Sequence, residues 1–326
     1  MPTDEPPFRL PRYHDLDTSR TAPHRSAWGI FGEGDEVGTV NLLTAESVRA
    51  AVPLVRRGVV FPLNWRMDLP EPPFLGRGRM RRTVKLLDEG PNPGTDDVFD
   101  NFYTQASTQW DALCHVGHPE FGYYNGWSFS DVGENGHHDG IDQWARRGIV
   151  GRFVLADVAR HRAGAGIPLR ANERVPITVD ELDTVLDAQG VGLRRSDVLL
   201  VRFGWISWYD GLDDRQRAAL LDPFLFPTPG LAAEERTAEW LWDHGVSAIA
   251  ADCPALEAMP FDKSSVDTFL HFRLVLLLGM AIGELFDLDR LAADCAATGV
   301  YEGFFTSAPL NVPGGAGSPA NALAIK

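Results

Sequence analysis

The sequence predicts an α/β protein, a central mixed sheet with helices packed outside it. Continuous apolar runs rich in Val, Leu and Ile recur at 150–158, 197–203 and 246–251. Being apolar at nearly every position, they read as strands buried on both faces. Helical patterns with their own start and stop signals separate them, and that alternation marks a partly parallel sheet.

The elements follow in order. Residues 1–27 read as an irregular N-terminal arm, because Pro2, Pro6, Pro7, Pro11 and Pro23 discourage regular structure. Residues 28–326 read as a single domain, since no repeat or linker divides them. Thr44 is placed to cap a helix through Arg56 that ends at Gly58, and 59–63 reads as a strand. Residues 70–93 form a long Gly-, Pro- and Arg-rich excursion with a strand at 83–87. The basic run from Arg77 to Arg82 and the acids Asp96, Asp97 and Asp100 read as solvated loops. A short helix at 141–147 closes at Gly148, and the run after it ends at Asp157. Thr178 and Glu181 form a capping box that opens a helix to Gln189. An amphipathic helix at 232–244 stops at Gly245.

Composition narrows the functional classes. The 45 acidic against 30 basic residues give a net charge of −15, which argues against a nucleic-acid partner. The longest uncharged apolar run, 274–283, is too short to span a bilayer. Cys114, Cys253 and Cys295 are odd in number and widely spaced, so a reducing compartment is expected. With no signal-peptide pattern at the N-terminus, a cytoplasmic location is expected. No P-loop, G-x-S-x-G, H-E-x-x-H or C-x-x-C motif occurs.

Two polar constellations remain. In an extended strand Gln105, Ser107, Gln109 and Asp111 would line one face, and His115 would join them if the parity held. His271 and Glu284 bracket a run that is apolar apart from Arg273. A carboxylate entering a buried sheet must be paired, hydrogen-bonded or metal-bound. A mixture of Asp, Glu and His suits zinc, manganese or iron better than calcium. A core histidine satisfied by a backbone carbonyl and a salt-bridged Glu284 are the plainer alternatives.

The stretch from Gln105 to His115 resembles the H-x-G-T-H-x-D-x-P-x-H hallmark of the cyclase family that includes kynurenine formamidase and isatin hydrolase. Thr108, Asp111 and His115 match it. Gln105 and Gln109 stand where that hallmark has its first two histidines, Ser107 replaces the glycine and Leu113 the proline. His271 and Glu284 match the later signature, a His about a dozen residues before a Glu. The resemblance implies the family's swivelling α/β fold, subunits paired as homodimers or homotetramers, and hydrolysis of an amide or lactone.

It also implies a ligand set of Asp111, His115, His271 and Glu284 around one divalent ion, zinc or manganese. The two glutamines weaken a second metal site, because amide oxygen is a poorer zinc ligand than imidazole. His115, Glu284 and Gln109 are the expected catalytic residues. Gln105, Trp110, Tyr124, Trp127, Trp28 and Phe31 are the expected contacts of a small-molecule substrate. Two other readings stay open: metal-free acid–base chemistry (a lyase, isomerase or cyclase), and a small-molecule binding protein without turnover.

Overall fold

The computed structural model describes residues 9–16, 22–87, 90–134, 136–220, 226–261 and 268–326; parts of the expected arm, 1–8 and 17–21, lie outside the described residues. The strands are β1 (Val60–Pro62), β2 (Arg81–Leu87), β3 (Gly94–Asp100), β4 (Gln109–Asp111) and β5 (Ile149–Asp157). They continue with β6 (Pro176–Ile177), β7 (Val198–Arg202), β8 (Gly230–Leu231) and β9 (Ala248–Ala251). Last come β10 (Ala281–Glu284), β11 (Glu302–Ser307), β12 (Gly317–Pro319) and β13 (Ala322–Ile325).

Among the described residues nine strands form one mixed sheet, in the order β1-β13-β11-β5-β7-β9-β10-β4-β12. β5, β7, β9 and β10 run parallel at its centre. Antiparallel strands extend it on both sides. Nearly every residue of the parallel strands is buried, so runs apolar at every position form the spine. Helices Ala45–Ala51 and Val179–Gln189 pack on β5, and Val158–Gly164 packs on β7. The predicted mixed sheet with outer helices is the observed architecture. Among the described residues no helix is long and apolar enough to cross a membrane.

Local differences have local causes. The helix capped by Thr44 stops at Ala51 instead of Arg56, and a 3₁₀ turn from Val52 to Leu54 follows. Pro53 lacks the N–H that a continuing helix would use. Thr178 accepts the Glu181 N–H at 3.4 Å, but the Glu181 carboxylate turns to Arg162 at 2.7 Å, so only half of the capping box forms. Arg81, Arg82, Asp96, Asp97 and Asp100 are not in loops: they belong to a two-stranded ribbon made by β2 and β3. The described part of the N-terminal segment packs on helix Glu235–Asp243, where Tyr13 is buried and its N–H donates to Asp243 at 2.8 Å.

Gly279 fixes the approach to β10. Its φ is +62°, and its carbonyl accepts the Thr39 N–H at 2.8 Å. A Cβ there would lie 2.5 Å from the Tyr124 ring and 3.0 Å from the Gly38 Cα. Gly279→Ala should therefore destabilise the protein by at least about 2 kcal/mol. Urea titration checks this, and an unchanged midpoint would show that the backbone at this junction is free to move.

Candidate functional site

The register between β4 and β10 builds the site. Gln109 lies opposite Glu284 and Asp111 opposite Ile282. Gln109, Asp111 and Glu284 therefore share one face, while Trp110 and Gly283 share the other. Trp110 is fully buried there, 5.0 Å from the Phe286 ring, with its indole N–H donating to Ser307 at 2.9 Å.

The extended strand expected from 105 to 115 is shorter than its polar pattern implied. Ser107 and Thr108 spend their hydroxyls on backbone groups: Ser107 donates to the Arg66 carbonyl at 2.8 Å, and Thr108 accepts the Trp65 N–H at 2.7 Å. Ser107 thereby leaves the polar row. Gln105 instead reaches Asp111 from a turn, crossing Gly317, where a Cβ would lie 2.5 Å from the Gln105 Cγ. His115 arrives on a 3₁₀ turn, Leu113–His115.

His271 comes from the segment that leads into β10. It precedes a helical turn, Phe272–Leu277, wound wider than an α-helix, with Leu278 N–H donating to the Arg273 carbonyl at 3.1 Å. His271 Nδ1 lies 2.9 and 3.0 Å from the two carboxylate oxygens of Glu257. Its Nε2 faces Glu284 Oε1 at 3.2 Å and Asp111 Oδ2 at 3.8 Å. Phe269 stacks on the imidazole at 4.9 Å between ring centroids.

Ligand atoms of Asp111, His271 and Glu284 all lie within 4.8 Å of one another, and all three residues are buried. His115 stands beside this group, with Nε2 4.0 Å from Asp111 Oδ1 and its side chain 29% exposed. The amides close the other side. Gln109 Nε2 donates to Glu284 Oε2 at 2.6 Å and to Asp111 Oδ1 at 3.3 Å. Gln105 Nε2 donates to Asp111 Oδ1 and lies 3.1 Å from His115 Nδ1. Asp111 Oδ2 and Gln109 Oε1 are buried without a hydrogen-bond partner.

Burial alone would push Asp111 up, but the nearby charges of His115 and His271 and the hydrogen bond from Gln105 outweigh it and hold it at about 2. Burial, reinforced by the charge of Asp111, pushes Glu284 up to about 7. Burial opposes the His271 imidazolium, yet the Glu257 carboxylate, with Asp111 and Glu284 facing the other ring nitrogen, raises its pKa well above the ordinary value.

A cavity opens onto His115, His271 and Glu284, walled by Phe74, Phe226, Phe261, Phe269 and Met259, with Arg77 at its edge. None of the aromatic residues expected at the substrate lines it among the described residues. Tyr124 is buried with its hydroxyl donating to Asp35 at 3.1 Å, Trp28 donates to the Leu276 carbonyl at 2.8 Å, and Phe31 packs on Trp242. Trp127 stacks on His138 at 3.6 Å. Sequence reasoning also missed Glu257, although an acid within Ala255-Leu256-Glu257-Ala258-Met259 carries the same signal that singles out Glu284.

A mixed sheet carrying a buried acid–imidazole cluster at one apolar cavity defines the class of protein. The family model described as "Putative cyclase" matches residues 45–258, and the chain belongs to that family. A crystal structure described as a novel cyclase is 33% identical, with a TM-score of 0.82 over 92% of this chain and 99% of that one. Isatin hydrolase A from Ralstonia solanacearum shares the fold at 17% identity and a TM-score of 0.57, over 87% of this chain and 98% of that one. Isatin hydrolase A from Labrenzia aggregata, bound to benzyl benzoate, gives 17% and 0.55 over 82% and 93%. No curated protein gives a significant match.

Glu257 should control the protonation of His271. A histidine whose folded pKa is raised contributes stability that is fully present below its unfolded value and lost as pH rises through the folded one. In chelator-treated protein, Glu257→Gln should therefore lower the His271 pKa in an NMR titration of its ring. The stability gap to wild type should be wide near pH 6 and narrow at higher pH. An unchanged His271 titration would remove Glu257 from this role.

Proposed function

We propose that the protein is a hydrolase of a small cyclic or aryl amide, lactone or ester, and that it uses one divalent cation held by Asp111, His271 and Glu284. One observation carries the reading: ligand atoms of three buried residues lie within 4.8 Å of one another, and one of those residues, Asp111, has a buried carboxylate oxygen with no hydrogen-bond partner. With Nδ1 committed to Glu257, a neutral His271 would aim its Nε2 lone pair at two carboxylates, so that point calls for a proton or a cation. Two oxygens and one imidazole suit zinc or manganese. A cation there would polarise the substrate carbonyl and acidify a water. Isatin hydrolases carry the same fold, which supports a hydrolytic activity here.

The chain's own residues supply orientation and proton transfer. Gln105 is acidic-side anchored: it gives one amide hydrogen to Asp111 and directs the other to His115 Nδ1. That bond fixes the neutral His115 with its proton on Nε2, beside the cavity, where it can protonate a departing nitrogen or oxygen. Glu257 orients His271, and Gln109 ties Glu284 to Asp111. The amide hydrogens of Gln105 and Gln109 point at carboxylate oxygens from the positions of the two missing histidines, which favours one ion over two. The phenylalanine walls exclude water and suit a flat apolar acyl group.

A second reading has one observation in its favour. The two amides and the His271 imidazolium already pair with Asp111 and Glu284, so the same groups can act as acids and bases without a metal.

Protein purified without chelator should carry about one divalent ion per chain, and Asp111→Asn less than about a tenth. Affinity should rise with pH across the neutral range, because His271 must release its proton. Activity that survives full metal removal would favour the metal-free reading. His115→Ala should lower kcat by about 10²–10⁴-fold while bound metal stays constant. Loss of metal together with activity would instead make His115 a ligand.

A further inference from the structure

One basic residue at the edge of the cavity has no part in the chemistry proposed above. Arg77 opens the basic run that reads from sequence as a solvated loop, yet it lines the same cavity as His115, His271 and Glu284. The local backbone puts it there. Leu75 and Gly76 are both left-handed, at φ +60° and +68°, and the Arg77 N–H closes the turn on the Phe74 carbonyl at 3.1 Å. A leucine held in that region stores strain that a freely solvated turn would shed. The turn folds Arg77 back beside Phe74 and Leu75, which also line the cavity.

What this guanidinium lacks is an acid. Arg66 and Arg79, its neighbours in sequence, pair with Asp68 and Glu71. Among the described residues Arg77 makes no ion pair; its Nη1 donates to the Gln105 carbonyl. That bond orients the fork and leaves Nε and Nη2 without a protein acceptor among the described residues. Apart from the two histidines, Arg77 is the only basic side chain among the described residues that line the cavity. A partly buried charge against apolar walls favours a ligand that brings the counter-charge.

We propose that the free edge of Arg77 binds a carboxylate carried by the substrate, away from the bond that is hydrolysed. The substrate class is then a cyclic or aryl amide, lactone or ester that bears a free acid group, and Arg77 is the residue that selects it. Nε and Nη2 present two parallel N–H donors, which match the two oxygens of a carboxylate. A phosphate or sulfate would call for further donors, and the walls around Arg77 are apolar. Gln105 links the two ends of the site: its carbonyl holds Arg77, and its amide reaches Asp111 and His115. The proposal rests on the reading of this cavity as the substrate's, and a binding measurement separates it from the hydrolytic activity.

Calorimetry on the chelator-treated full chain, with benzoate against its neutral isostere benzamide, tests it without turnover. Wild type should bind benzoate at least about tenfold more tightly than benzamide. Arg77→Gln should bring the two affinities within about twofold, and Arg77→Lys, which keeps the charge and loses the fork, should fall between. Arg79→Gln, at a position that does not line the cavity, should keep the wild-type preference. A wild type that does not prefer benzoate, or a preference that survives in Arg77→Gln, would overturn the proposal. With manganese restored, wild type should hydrolyse phthalide-5-carboxylate with a kcat/KM at least about tenfold above that for phthalide, and Arg77→Gln should level the two. Equal rates on both lactones in wild type would also overturn it. Turnover of neither lactone, beside an intact benzoate preference, would support the carboxylate site and sink the hydrolytic reading instead.

Discussion

Two carboxylates buried side by side, Asp111 and Glu284, are the constraint on which the site depends. Unpaired charges in a dry interior are costly, so every neighbouring group must compensate them. The β4–β10 register brings them together on one face of the sheet. Gln105 and Gln109 cover one side with amide hydrogens, and His271 covers the other with an imidazole oriented by Glu257. What remains open is Asp111 Oδ2, facing the point at which a cation would sit.

The same constraint separates the roles of the two histidines. His271 is buried, flanked by three carboxylates and stacked on Phe269, an environment that makes its nitrogen a holder of positive charge. His115 is partly exposed and accepts a hydrogen bond at Nδ1, which leaves the proton on the nitrogen next to the cavity. Two imidazoles whose centroids are 6.4 Å apart thus suit different tasks because their partners differ.

Much of this was legible in the sequence where a local rule decided it. The buried strands, the Thr44 and Thr178 caps and the glycine stops at 148 and 245 follow from apolar runs and backbone preferences. Asp111 stood out in a polar row, and His271 and Glu284 as polar residues bracketing an apolar run. The pairing of Gln109 with Glu284 was not legible, because it joins residues 175 positions apart. The strand expected through 105–115 overlooked the pull of backbone partners on Ser107 and Thr108. Trp110 was expected at the substrate, although strand parity points it to the face opposite Asp111. Asp96, Asp97 and Asp100 read as loop because an exposed ribbon has no buried face and so no apolar alternation to reveal it.

The central claim is that these donors surround a single cation. An anomalous-difference map from crystals grown with manganese and no chelator measures this directly. The account predicts one peak within bonding distance of Asp111 Oδ2, His271 Nε2 and Glu284 Oε1, with Gln105 and Gln109 still hydrogen-bonded to the carboxylates. No peak, or a second one in contact with Gln105 or Gln109, would contradict it.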